Sequence, residues 1–452
     1  MSPAKSILIA LLTLSAVPLA WATDLLETYH AAQSQDAVFA SARAAQRAGQ
    51  EKLPQGRSLL LPSVNLSANT AYNDNWVQYR GSFLLPPPIN AGLPLPSGTT
   101  RFNSNGYGVS LTQPLFRQQN WVAYTEAELQ VTQTDAQFKS AEQNLILRVA
   151  QAYFDMLIAQ DTVQLAEAQK NAISEQLEQA KRNFEVGTAT ITDTYEAQAR
   201  FDLTHSQEIA AQSNLEIKKR ALQQIINAGL GDLRHLGKEF KLEAPQPGDV
   251  EKWVEFAQQS SLQIVVAQAG AELAAKEVTR NRGGHYPTVD LVASYAENST
   301  GGGAFGFGSD GHSKVVGVQL NLPLYQGGAV QSKLREAEAN SDKAKEDLEN
   351  ARRTVAVQTR QAFLGVVDGI AQVKALQQAL KSSESLLEAS KLGQEVGVRT
   401  NLDVLNAQQQ LYSTRRDLYQ VEYNFLLSQL QLKAAIGTLA EEDLVKINQA
   451  LY

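Results

Sequence analysis

The chain contains no cysteine, and it has no long hydrophobic run beyond its first residues. Without cysteine there are no disulfides, thiolate metal ligands or cysteine nucleophiles, so stability must come from packing and assembly. No stretch after residue 22 approaches the roughly 18–20 apolar residues that a membrane-spanning helix needs. Basic residues are outnumbered by acidic ones, 40 to 47, for a net charge of −7. That balance argues against nucleic acid or an anionic membrane surface as the main partner.

Motifs for catalysis or cofactor binding are also missing. The five histidines have no metal-ligand spacing, and there is no acyl-transfer or Walker motif. The glycines at 301–306 fit G-x-G-x-x-G, but they lie between two predicted strands with no helix after them. A dinucleotide site needs that helix. The sequence therefore predicts no enzymatic activity, no catalytic residue, no metal site and no cofactor.

Residues 1–22 have the pattern of a secretory signal peptide. Lys5 supplies the charge, 6–19 the apolar run, and Ala20-Trp21-Ala22 a small-x-small cleavage site. The alternative is a short core helix. An exported chain without a helical anchor is expected to be periplasmic, secreted, or inserted in an outer membrane as β-structure.

One ten-residue turn occurs twice, 210 residues apart, at 184–193 and 394–403. Gly187 and Gly397 are suited to the left-handed conformation that ends a helix. Asp193 and Asp403 lie where an N-cap or first-turn acid would start the next helix. The chain is therefore predicted to be a tandem duplication.

The hydrophobic period changes along each repeat. Val64, Leu66 and Ala68 alternate with polar neighbours, which indicates a strand with one apolar face. Residues 118–184 have no proline or glycine and carry an apolar heptad seam, which indicates a long supercoiled helix. At ~1.5 Å per residue this helix would reach ~100 Å.

These patterns predict the same order of elements in both halves of the chain. The predicted organisation is a signal peptide at 1–22; a first repeat at 23–228, with a helix at 24–57, a β-hairpin at 63–116, a long helix at 118–184 and a return helix at 193–227; an irregular connector at 229–252; a second repeat at 253–437, with a helix at 253–282, a β-hairpin at 288–325, a long helix at 329–393 and a return helix at 401–436; and a C-terminal segment at 438–452.

Four amphipathic strands cannot close a sheet by themselves. In lipid an open edge leaves unsatisfied backbone groups that cost several kcal/mol each. Membrane barrels begin at ~8 strands, so several chains would have to share one barrel. The alternative is a soluble β-sandwich attached to a coiled coil.

Several motifs, in the same order in both halves, are similar to the TolC family of outer-membrane channel-tunnels. The matching pieces are Leu61-Pro62-Ser63, Ala152-Tyr153-Phe154-Asp155, Phe184-Glu185-Val186-Gly187-Thr188, Ile191-Thr192-Asp193, Tyr286-Pro287-Thr288, Leu322-Pro323-Leu324-Tyr325-Gln326-Gly327-Gly328 and Val396-Gly397-Val398-Arg399-Thr400-Asn401-Leu402-Asp403-Val404-Leu405. The resemblance runs from about residue 24 to 445.

The resemblance implies a mainly α protein with a pair of membrane β-hairpins. Three chains would form a 12-stranded β-barrel continuous with a periplasmic α-barrel of 12 coiled-coil staves. The connector and the C-terminal segment would form an equatorial belt. The protein would be the outer-membrane exit duct of tripartite efflux or type I secretion, a passive conduit gated at its periplasmic end by uncoiling of helices. Its partners would be outer-membrane lipid, a periplasmic adaptor and an inner-membrane pump, either an ABC transporter or proton-driven.

The same resemblance assigns site residues to the two turns. Asp403 matches the first acid of the pore constriction, whereas Asn406 occupies the position of the second acid, so the ring is expected to be weaker. A gate latch is expected between Arg399 and Asp193. Gln394 occupies the position where the family has a tyrosine that takes part in the latch. Three Asp403 side chains facing one pore should prefer cations. The adaptor-docking tips would be Val186, Gly187, Thr188, Val396, Gly397 and Val398.

Part of the latch can be argued from the residues alone. Asp193 and Arg399 lie at corresponding turns of the two helix hairpins, where an arginine–carboxylate pair can bridge them. An exposed pair contributes only ~0–1 kcal/mol, so a few together suit a switch. A solvated turn charge is the alternative for Arg399. The competing functions are a structural coiled-coil or adhesin-type exported protein without a pore, and an exported enzyme, for which no catalytic constellation is present.

Overall fold

The structure is a computed structural model that describes residues 24–78, 82–84, 92–94, 98–237, 241–303 and 307–451. The predicted signal peptide at 1–22 lies outside the described residues. So do most of the proline-rich tip of the first hairpin, part of the glycine-rich tip of the second, and residues 238–240 of the connector.

The described chain alternates helices and antiparallel strands. Its elements are α1 (Leu25–Gln35), α2 (Ala37–Gln50), α3 (Lys52–Ser58), β1 (Ser63–Val77), β2 (Ser82–Leu84), β3 (Gly92–Pro94), β4 (Gly98–Phe116), α4 (Gln118–Glu185), α5 (Ile191–Ile226), α6 (Val250–Ser260), α7 (Leu262–Arg282), a 3-10 turn (Gly283–His285), β5 (Thr288–Thr300), β6 (Ser309–Asn321), α8 (Ala329–Glu395), α9 (Asn401–Ala435) and α10 (Glu441–Asn448). Among these residues, no helix combines the length and apolar character needed to cross a membrane.

Two helices that the sequence predicts as continuous are interrupted. The predicted helix at 24–57 breaks at Asp36, whose backbone is extended. The Asp36 carboxylate accepts two 3.0 Å bonds from Arg148 and one of 2.6 Å from the Phe39 backbone N–H. Asp36 thus caps the N-terminus of α2, and its bonds to Arg148 and Phe39 favour the break. The predicted helix at 253–282 begins instead at Val250 and breaks at Ser261, which is also extended.

The chain divides into two compact units, each of which draws on both sequence repeats. Counting only the residues that the structure describes, one lies within 24–44, 138–262 and 352–451, and the other within 45–137 and 263–351.

The second unit contains a four-stranded antiparallel sheet in the order β1-β4-β5-β6. Directly opposite residues lie on one face, so Leu66, Val109, Tyr295 and Lys314 form one row across the sheet. The apolar residues predicted to alternate along β1 share this face with apolar residues of the other three strands, and many are exposed: Val64, Leu66, Val109, Val316, Val318 and Leu320. The same sheet has β1 and β6 as its outer strands.

The base of this sheet is held by a partly buried ion pair. Arg117, between β4 and α4, donates to both carboxylate oxygens of Asp290 on β5, at 2.8 and 2.6 Å. Asp290 is only 7% exposed. A bidentate pair of this kind fixes the angle at which the strand passes into the long helix.

The first unit is a helical assembly with many buried apolar side chains. Its largest fully buried side chains include Leu25, Leu145, Tyr153, Phe154, Leu157, Leu222, Ile226, Phe425, Leu430 and Leu444. The Tyr153 hydroxyl bonds to the backbone of Arg234, accepting from its N–H at 3.1 Å and lying 3.2 Å from its carbonyl oxygen. Leu236 pairs with Leu451 as an isolated β-bridge, so this connector segment and the C-terminal segment meet.

Candidate functional site

The two repeated turns have the same backbone geometry. Gly187 and Gly397 have φ values of 78° and 79°, which confirms the predicted left-handed conformation. In each turn the next residue's N–H, from Thr188 or Val398, donates to a carbonyl five residues back, at 2.8 and 2.9 Å. Both long helices therefore end in a glycine-dependent cap that satisfies their last carbonyls.

Both return helices start with the same capping box. Asp193 and Asp403 are the third residues of α5 and α9, and each accepts 2.8 Å bonds from the backbone N–H and the hydroxyl of a threonine N-cap, Thr190 or Thr400. The prediction of a first-turn acid is confirmed, and threonine supplies the N-cap. The backbone N–H and hydroxyl of Thr400, followed by the charge of Arg399, lower the pKa of Asp403.

The turns present apolar side chains to solvent. Val186, Val396 and Val398 are 72, 67 and 77% exposed. Thr188 uses its hydroxyl to bond the Asn183 carbonyl at 3.0 Å, so its polar atom is occupied within the turn. Exposed valines on a rigid turn form a small apolar surface that another protein can cover.

Arg399 pairs with the nearer of the two aspartates. Its guanidinium lies 3.7 Å from Asp403, in the same turn. Gln394 lies near Asn401 at 3.4 Å, also within its own hairpin. In the part of the chain that the structure describes, neither Arg399 nor Gln394 has a hydrogen bond or ion pair with Asp193. The latch between Arg399 and Asp193 therefore stays a prediction.

Asn406 is held by an arginine that the sequence analysis did not single out. Arg200, on α5, donates to the side-chain oxygen of Asn406 at 2.9 Å and to that of Gln409 at 2.5 Å, both on α9. Arg200 precedes Asn406 by 206 positions in the sequence and Gln409 by 209. No local pattern marks this contact, because it depends on α5 and α9 being neighbours.

Further along α9, a second polar contact joins the two helix hairpins. The Tyr423 hydroxyl donates to Asp161 of α4 at 3.0 Å, and the Tyr423 ring stacks on Phe154 with centroids 5.8 Å apart. His235 lies 3.2 Å from the other oxygen of Asp161. The bond to Asp161 raises the pKa of His235. This partly buried cluster joins α9 to α4 and to the connector.

No group of three or more His, Cys, Asp or Glu side chains suited to a metal ion is found among the residues with described positions. What the two turns present is helix caps, exposed valine side chains and the Arg399–Asp403 ion pair.

Comparisons with known proteins agree with the resemblance seen in the sequence. A family model described as outer membrane efflux protein matches residues 28–228 and 253–438. Outer membrane protein TolC of Vibrio cholerae is 34% identical over 433 residues, covering 95% of this chain and 94% of the relative. Alkaline protease secretion protein AprF of Pseudomonas aeruginosa is 32% identical over 430 residues, covering 94% and 86%. In fold, the crystal structure of CusC matches with a TM-score of 0.76 and 16% identity, covering 92% of both chains.

Proposed function

This chain belongs to the outer membrane efflux protein family, and from that premise we propose that three copies form the outer-membrane exit duct of an efflux or type I secretion system. Relatives of similar length include proteins named for outer-membrane and for protease-secretion roles. The duct itself is passive. Energy and choice of cargo come from an inner-membrane pump, either an ABC transporter or proton-driven, joined to the duct by a periplasmic adaptor.

The observation that carries the proposal is the four-stranded sheet with an exposed apolar face. Its row of exposed valines and leucines suits lipid. Its outer strands β1 and β6 need partners in a membrane, because an open edge there costs several kcal/mol for each unsatisfied group. Three copies supply 12 strands, which is enough to close a barrel. The 12 periplasmic staves would come from α4 and α8 of each chain, together with the shorter helices stacked in pairs.

The periplasmic end is proposed to be the end that carries the two turns. The exposed valines of the tips support adaptor docking, with Gly187 and Gly397 holding the turn shape. Asp403 and Asn406 would line the pore constriction. Opening is a population shift, in which the adaptor or pump binds the uncoiled state better.

Two measurements test the assembly. The protein should fractionate with the outer membrane and run as an oligomer band that collapses on heating, and native mass spectrometry should give three chain masses. A soluble, monomeric chain would support the structural coiled-coil alternative and reject the duct.

The latch has its own test. Replacing Arg399 or Asp193 with glutamine or asparagine, respectively, should raise single-channel conductance in planar bilayers, since exposed charge pairs that bridge hairpins favour the closed state. Conductance equal to that of the wild type in both variants would remove the latch and leave the duct in place.

A further inference from the structure

We propose that Arg200 is the residue that holds the N-terminal half of α9 in the closed position and that sets the charge of the constriction. This inference rests on the proposed function, because it assigns a role at the same periplasmic end. Arg200 acts through Asn406 and Gln409, so it is a positioning residue for the gate. We call the three residues the Arg200 clamp.

The clamp has the geometry of a two-point attachment. One guanidinium nitrogen of Arg200 binds Asn406 and the other binds Gln409, and these two acceptors are almost one turn apart on α9. The planar fork of arginine can span them, whereas the ammonium of lysine presents a single point charge. The clamp therefore restrains both the position and the rotation of α9 relative to α5.

The polar contacts of α9 are more exposed in its N-terminal half than in its C-terminal half. In its C-terminal half, Tyr423 is 2% exposed and stacks on Phe154, and its hydroxyl donates to the partly buried Asp161. In its N-terminal half, Asn406 and Gln409 are exposed, and Arg200 reaches them at the surface. Surface hydrogen bonds can break without exposing a core. In the N-terminal half the polar attachment is therefore the part that breaks at low cost, while Val404, Leu405 and Leu411 of the same half stay buried in the interior.

One buried group beside the clamp opposes the closed packing. Gln408 is 3% exposed, and its side-chain oxygen has no hydrogen-bond partner within the described ranges. A buried carbonyl without a partner disfavours the state that buries it. The clamp then offsets this cost, so that closed and open states differ by little and a partner can shift the balance.

The clamp also changes the charge at the proposed constriction. Asn406 and Gln409 are neutral amides, and no ion pair of Arg200 is found in the described chain. The nearby Asp403, one turn before Asn406, is paired with Arg399. Arg200 therefore contributes a positive charge without a counter-charge where the second acid of the family's ring would lie. The constriction should be less cation-selective than a ring of six acids.

The test is single-channel recording of the purified full-length oligomer in planar bilayers. Arg200→Gln should raise the ratio of open to closed states about tenfold, the effect of losing hydrogen bonds to a charged group. It should also shift the reversal potential in a KCl gradient toward cation preference. Arg200→Lys should loosen the gate but keep the wild-type reversal potential, because the charge remains. Asn406→Asp gives Arg200 a carboxylate partner, so it should lower the open ratio about threefold.

Arg220→Gln is the matched control. Arg220 is also on α5, but it is exposed and pairs with Glu216 and Gln223 of its own helix. This variant should match the wild type in both readouts.

The outcomes separate the clamp from the duct. If the wild type conducts and Arg200→Gln changes neither the open ratio nor the reversal potential, the clamp is wrong and the duct stands. If Arg200→Gln fails to assemble, Asn406→Asp still decides, because an unchanged or raised open ratio in that variant rejects the clamp. If the wild type makes no conductance steps, the proposed function and the clamp both fail.

Discussion

A buried glutamate in the helices next to the sheet gives a pH-dependent prediction. Glu126 of α4 is 7% exposed, and one of its carboxylate oxygens has no partner in the described parts of the chain. The other lies 3.5 Å from Arg280 of α7, whose guanidinium also contacts Glu277 at 2.5 Å. Burial, and then the charge and hydrogen bond of Glu277, raise the pKa of Glu126 to about 7, and Arg280 opposes the rise only in part.

The magnitude follows from that pKa. The folded state holds a proton on Glu126 that the unfolded chain releases near its ordinary pKa of 4.5. Stability therefore falls as pH rises from about 4.5 to about 7, and levels off above it. At about 1.36 kcal/mol per pKa unit, the loss approaches ~3 kcal/mol per chain. Glu126→Gln mimics the protonated form, so its stability should not show this loss.

Thermal unfolding of the purified protein at pH 5 and pH 8 measures the effect. The wild type and Glu126→Gln should have similar melting midpoints at pH 5, and Glu126→Gln should have the higher midpoint at pH 8. Parallel pH profiles of the two proteins would refute the reasoning, because they would mean that Glu126 ionises normally.

Glu277→Gln tests the neighbouring carboxylate, whose pKa shift has the opposite sign. Although burial acts to raise the pKa of Glu277, bonds from Arg280 and Asn281 lower it overall. The stability that this carboxylate contributes is present above its ordinary pKa and is lost as pH falls. Glu277→Gln should therefore be less stable than the wild type at pH 8, and the difference should shrink in acid.

Three further predictions concern the second turn. Gly397→Ala puts a Cβ at a residue with φ 79°, where the Cβ meets no other atom, so the substitution costs about 1 kcal/mol of backbone strain and no steric clash. The strain should speed hydrogen exchange of the turn amides without affecting assembly. Exchange rates equal to those of the wild type would contradict this prediction. Val398→Asp should weaken binding of the cognate adaptor about tenfold or more in biolayer interferometry, since it places a charge in an apolar contact. Val398→Ile, which keeps the apolar contact, is the control. If Val398→Asp binds the adaptor as tightly as the wild type does, this tip is not a docking site. Asp403→Asn should shift the reversal potential toward anions, and an unchanged value would remove Asp403 from the constriction.

Features set by nearby residues could be predicted from the sequence. The left-handed glycines and the first-turn aspartates of the repeated turns depend on residues within a few positions. The strands follow from period-2 alternation, which needs only the side chains of one segment. The family follows from the order of short motifs in both halves, and the comparisons confirm it.

Features set by distant residues could not be predicted. The break at Asp36 is stabilised by Arg148, which is 112 residues away. The Arg200 clamp joins positions more than 200 residues apart, and the position one repeat after Arg200 holds Gln410, so the duplication gives no hint of it. Arg399 is a different case, because its ion pair with Asp403 lies four residues on in the same turn, whereas the predicted contact with Asp193 of the other hairpin stays a prediction.

The most direct test of the central claim is conductance by the purified full-length oligomer in a planar lipid bilayer. The account predicts discrete single-channel steps, with an open ratio that rises when the cognate adaptor is added to the side bearing the turns. A protein that inserts or assembles as an oligomer but never conducts, with or without adaptor, would contradict the assignment as an exit duct.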